Sequence, residues 1–119
     1  IEVRLFYDLL CPYSRDHHKN ITAFLDMFYN ETAGVKYGDL MSVTITPITL
    51  PYHLHSFQVT QIVPYLFDVC EQTGKCHMDE YAELCFENLG TILPDKTTSE
   101  IDFVKKWADI VVGRFPDLN

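Results

Sequence analysis

One sulfur in this chain stands where thiol chemistry is favoured. Cys11 follows the run Phe6-Tyr7-Asp8-Leu9-Leu10 and precedes Pro12-Tyr13-Ser14. Proline suits the first position of a helix, because its φ is preset and its missing N–H is not needed there. A thiol at that junction sits beside unpaired backbone N–H groups and the positive end of the helix dipole, and both favour thiolate. Two readings of Cys11 follow: a nucleophile for thiol–disulfide exchange, or a small buried apolar residue at a strand–helix turn. His53 and His55, after Leu50-Pro51-Tyr52, are the other reactive candidates. On an extended segment the two imidazoles share one side, and with Cys11 they offer a metal two nitrogens and a sulfur. The plainer reading makes them partly exposed loop residues, and no metal or other cofactor is expected. Asp8 is either a buried carboxylate able to move protons or a surface charge opposing the thiolate. His17 reads as a half-buried, satisfied histidine on the apolar side of the first helix.

The elements around these residues are written in their periods. Ile1, Val3, Leu5 and Tyr7 alternate with polar residues as a strand. Phe6 breaks the polar side, which predicts cover on both faces near the strand's end. Ile21, Phe24, Leu25 and Phe28 form one helical stripe from Pro12 to about Tyr29, and Gly34 is placed to supply a left-handed stop. Met41, Val43 and Ile45 alternate again as a second strand, ending or lying at an edge at Pro47. A right-handed strand–helix–strand crossover makes these strands parallel neighbours. Cys11 and the Pro51-Tyr52-His53 corner then share the carboxyl end of the sheet, where α/β sites gather.

Helices follow. Val59, Ile62, Val63, Leu66, Phe67 and Cys70 repeat at helical spacing, with Pro64 predicting a kink or a restart. Met78, Tyr81, Ala82, Cys85 and Leu89 form the next stripe. Cys70 and Cys76 flank the turn between them and predict a disulfide, whereas Cys85 falls on the stripe as a core residue. Thr97-Thr98-Ser99-Glu100 has capping-box spacing ahead of a helix carrying Ile101, Val104, Trp107, Ala108 and Val111. Gly113 and Pro116 stop it.

The segment L-F-Y-D-x-x-C-P-x-S resembles the active-site segment of the DsbA-like branch of the thioredoxin superfamily. That family presents C-x-x-C; here Cys11-Pro12-Tyr13-Ser14 replaces the second sulfur by a hydroxyl. Leu50-Pro51-Tyr52-His53 before a helix is also similar to that branch. The resemblance implies an α/β fold: a thioredoxin-like βαβ unit over 1–53 followed by an inserted helical subdomain over 54–119. The family's C-terminal ββα part, which begins at a cis-proline, is missing. It also implies monothiol exchange on protein thiols, with Cys11 as nucleophile, Ser14 as hydrogen-bond donor to the thiolate and His53 as proton acceptor. The alternative is a catalytically inactive glycoprotein module with a structural or interaction role in an extracellular assembly.

Composition bounds the partners. The 119 residues carry a net charge of −8, with 47% hydrophobic and 22% charged side chains, which suits one globular domain. That balance argues against nucleic-acid or anionic-membrane partners. No apolar run reaches the ~20 residues of a membrane span. The sequons Asn20-Ile21-Thr22 and Asn30-Glu31-Thr32, beside a disulfide, point to a secreted or lumenal protein. Two parallel strands make a poor sheet alone. The sequence is therefore expected to be the front half of a longer polypeptide, or to receive strands from another chain.

Overall fold

The computed structural model describes residues 1–118. Strand β1 (Glu2–Asp8) leads into helix α1 (Pro12–Asp26), and a small hairpin of β2 (Phe28–Asn30) and β3 (Val35–Lys36) follows. A 3₁₀ turn over Tyr37–Leu40 returns the chain to strand β4 (Ser42–Ile48). Five helices complete the order: α2 (Ser56–Thr60), α3 (Val63–Thr73), α4 (Met78–Glu87), α5 (Leu89–Ile92) and α6 (Glu100–Arg114). The fold is α/β, a mixture of helices with one parallel and one antiparallel strand pair.

β1 and β4 are parallel, with Leu5 opposite Ile45 and Tyr7 opposite Pro47. Each is an edge strand of a two-stranded sheet, so Pro47 removes no hydrogen bond that a further strand among the described residues would need. Leu5, Tyr7 and Ile45 join Val59, Val63 and Leu66 with Tyr81, Ala82 and Cys85 of α4 in one core. Phe103, Trp107 and Val111 of α6 complete it. Tyr81 is buried without an orphaned hydroxyl: it donates to the Val59 carbonyl and accepts from Trp107 Nε1 at 3.0 Å. α1 is held more loosely. None of its residues is fully buried, and Phe24 stacks on Tyr37 at 4.5 Å rather than entering the core.

Several expectations are corrected. Helix α1 ends at Asp26 rather than near Tyr29, because Phe28 pairs with Lys36 across the hairpin. Gly34 does adopt a positive φ of 69°, but in the hairpin turn, whereas the left-handed helix stop is Gly74, with φ of 73° at the end of α3. Phe6 is 57% exposed, so its side of β1 is open at that residue, and cover on both faces is reached only at the strand's last two residues, where Tyr7 and Asp8 are both buried. Pro64 restarts rather than kinks: α2 ends at Thr60 and α3 begins at Val63 with Pro64 in its first turn. The cap of α6 is Ser99, which accepts from Asp102 N at 3.2 Å, so the box sits two residues beyond Thr97. His17 is exposed though bonded to the Tyr7 hydroxyl; its neighbour His18 is the half-buried one.

Candidate functional site at the carboxyl end of the parallel strands

Asp8 organises this end of the sheet. It closes β1, is 1% exposed, and gathers four donors from three parts of the chain. Oδ1 accepts from Leu10 N at 2.8 Å and from Ser56 Oγ at 2.7 Å. Oδ2 accepts from Leu50 N at 2.7 Å and from His53 Nδ1 at 2.9 Å. The first bond folds the Leu9-Leu10 turn back on β1; the others pin the Leu50–Ser56 corner after β4. Four donors converge on the acceptor-only carboxylate form of the side chain. With the proton of His53 on Nδ1, its Nε2 carries the free lone pair and can act as a base. Asp8 is thus the buried carboxylate of the two readings, not a surface charge.

Cys11 lies three residues beyond Asp8, and its backbone N–H donates to the Asp8 carbonyl at 3.0 Å. It is the N-cap of α1, with Pro12 in the first turn and no side-chain hydrogen bond at the cap. No acidic side chain stands in that first turn, so nothing there offsets the helix's positive end. Ser14 lies in the same turn. Cys11 is buried, with 8% of the residue exposed. Tyr13 in the first turn of α1 and Tyr52 beside His53 are 85% and 68% exposed.

The histidine pair divides. Residues 51–55 form turns rather than an extended segment, so His53 and His55 do not share a side. His55 is buried, stacked on Phe103 at 4.0 Å with the rings 4° from parallel. Asp95 Oδ2 stands 4.0 Å from His55 Nε2. The two imidazoles therefore do not converge on Cys11, and no group of three metal-ligating side chains is assembled among the described residues. Ser56, an anchor of the Asp8 cluster, left no sequence signal: it reads as one polar residue ahead of an apolar stripe.

The remaining cysteines are settled. Cys70 and Cys76 form a disulfide with Cα atoms 4.4 Å apart. Cys85 is free and fully buried, and burial pushes its thiol up to about 12. Asn20 is exposed on α1, and Asn30 is exposed at the hairpin, where its Oδ1 accepts from Ala33 N at 3.0 Å. No described helix is long and apolar enough to cross a membrane. No protein-family model, curated protein or solved structure matches this chain.

Proposed function

We infer that this chain is a monothiol disulfide-exchange domain, thioredoxin-like and related to the DsbA branch, working on the thiols and disulfides of other proteins. The observation that supports the reading is the Asp8–His53 hydrogen bond, which orients the imidazole on the residue that closes β1, three positions before Cys11 in the sequence. His53 Nε2 takes the Cys11 proton, and the N–H groups at the start of α1 and the Ser14 hydroxyl stabilise the thiolate. The thiolate attacks one sulfur of a partner disulfide. A Cys11–partner S–S bond forms, the partner's own S–S bond breaks, and its second sulfur leaves as a thiolate that takes the proton back from His53. Ser14 offers no sulfur to resolve this adduct. A thiol from a second molecule gives its proton to His53 and attacks the partner sulfur as a thiolate; a new partner disulfide forms, the Cys11–partner S–S bond breaks, and Cys11 leaves as a thiolate that regains the proton from His53. The Cys70–Cys76 bridge and the exposed sequons suit an oxidising secretory compartment.

A second reading, an inactive glycosylated scaffold, is favoured by the low exposure of Cys11. Thiol titration separates the two. With Cys70 and Cys76 bridged and Cys85 sealed in the core, the exchange reading expects a single native thiol to react with an aromatic disulfide reagent. Two thiols react after denaturation without reductant. That reactivity belongs to Cys11: His53→Ala slows its alkylation at neutral pH and Cys11→Ser abolishes it. An unreactive native protein, or ordinary thiol behaviour unmoved by His53→Ala, assigns the domain to scaffolding.

A further inference from the structure

We propose that the cleft between α1, the parallel strands and α4 binds a small primary amine carrying a compact apolar body. The cleft shares no residue with the Cys11 rim. Its inner chamber, about 180 Å³, has Leu5, Val43 and Ile45 from the strands on one side and Ile21 and Leu25 from α1 on the other. The chamber exists because α1 packs loosely, burying none of its residues fully. An outer shelf of about 390 Å³ shares His18, Thr22 and Glu83 with the chamber and adds the ring of Phe86. An apolar interior with a few convergent polar groups is the composition of small-molecule sites.

The polar groups set the ligand's charge. Asp79 and Glu83 are the acidic members of the chamber lining. His18 Nε2 stands 3.9 Å from Glu83 Oε1, too far for a hydrogen bond. A donor seated between the two atoms would bond both. The His18 ring is held in place by Tyr7 at 5.7 Å and Phe86 at 5.6 Å, so it cannot swing away to close the gap without repacking. A primary ammonium brings three donors, matched by His18, Glu83 and Asp79 or the Thr22 hydroxyl. Of the nearby cations, Arg15 and Lys19 line the outer shelf only, and Arg15 is turned to Asp16 at 2.9 Å. The chain's net charge of −8 favours a cationic visitor and disfavours an anion.

Three isosteric probes test this on the intact chain at low salt: 2-phenylethylamine, 2-phenylethanol and 3-phenylpropionate, by calorimetry and amide chemical shifts. The amine is expected to move the signals of Val43, Thr22 and Glu83, with the alcohol and the acid binding at least about tenfold more weakly. Glu83→Gln and Asp79→Asn, both at exposed positions, each weaken the amine by about tenfold or more. Val43→Phe fills the chamber and removes binding while leaving every charge in place. The proposal is overturned by an alcohol that binds as tightly as the amine. Equal amine affinity in both charge variants overturns it as well, as does the absence of chamber shifts at millimolar amine.

Discussion

Asp8 shows how much one side chain can hold together. Its donors come from the turn after β1, the loop after β4 and the start of α2. Asp8→Ala leaves those donors facing a buried void, with a cost on the order of 3 kcal/mol; His53→Ala, which removes one of the four, costs about 1–2 kcal/mol. Urea denaturation of both variants checks the ranking. Asp95 supplies a pH dependence. The Thr98 side chain, then the backbone N–H groups of Thr97 and Thr98, hold its carboxyl well below the usual carboxylate range. A carboxyl with a depressed folded-state pKa stabilises the fold above its unfolded value, about 4, and that stabilisation is lost as the pH falls through the folded value. Asp95→Asn should therefore flatten the acid side of a melting-temperature profile below about pH 4 and lower stability at neutral pH. The Asp95 bonds are local, but most of the Asp8 cluster could not be read locally: the sequence left Asp8 with two readings, and of its donors only Leu10 lies nearby, whereas Leu50, His53 and Ser56 lie more than forty positions away.

At the scale of elements, periodicity and topology carried most of the reading. The two strands, their parallel pairing, the first helix from Pro12 and the helices after His55 follow from apolar spacing and the handedness of crossovers. The Cys70–Cys76 bridge followed from two cysteines flanking a glycine turn. The failures share a cause. Phe28 continues the stripe of α1 in spacing, yet its conformation is decided by Lys36 across a hairpin that local pattern does not encode. The boundary of α6 likewise depends on which of three adjacent hydroxyls caps it, a choice that spacing leaves open. The bridge closes a short loop, so replacing both cysteines by serine should cost about 2 kcal/mol. Thermal melts with and without reductant give the same quantity independently.

The whole molecule is elongated. Its principal extents are 54 × 31 × 21 Å and its radius of gyration is 15.8 Å, against the ~13.5 Å of a compact chain of this length. The extension follows from a two-stranded sheet carrying helices on one face. Leu5 and Ile45 are buried on that face, while Phe6 stands 57% exposed on the other. Phe6→Thr should consequently leave stability within about 0.5 kcal/mol of the parent, measured by the same urea titration. A cost of several times that would mean that the open face is covered in solution. Sequence reasoning gave Phe6 a neighbour that the sequence itself does not supply, and Phe6 stands largely exposed on its side of the strand pair.

The chain's single tryptophan, Trp107, lies in the core with its indole N–H on the Tyr81 hydroxyl and Phe103 stacked at 6.2 Å. No residue of α1 or the hairpin is among those ring partners. Tryptophan emission, excited selectively over the seven tyrosines, is therefore a resident gauge of the α4–α6 layer rather than of the amino-terminal crossover. Any optical comparison of the two halves needs a second dye placed on α1.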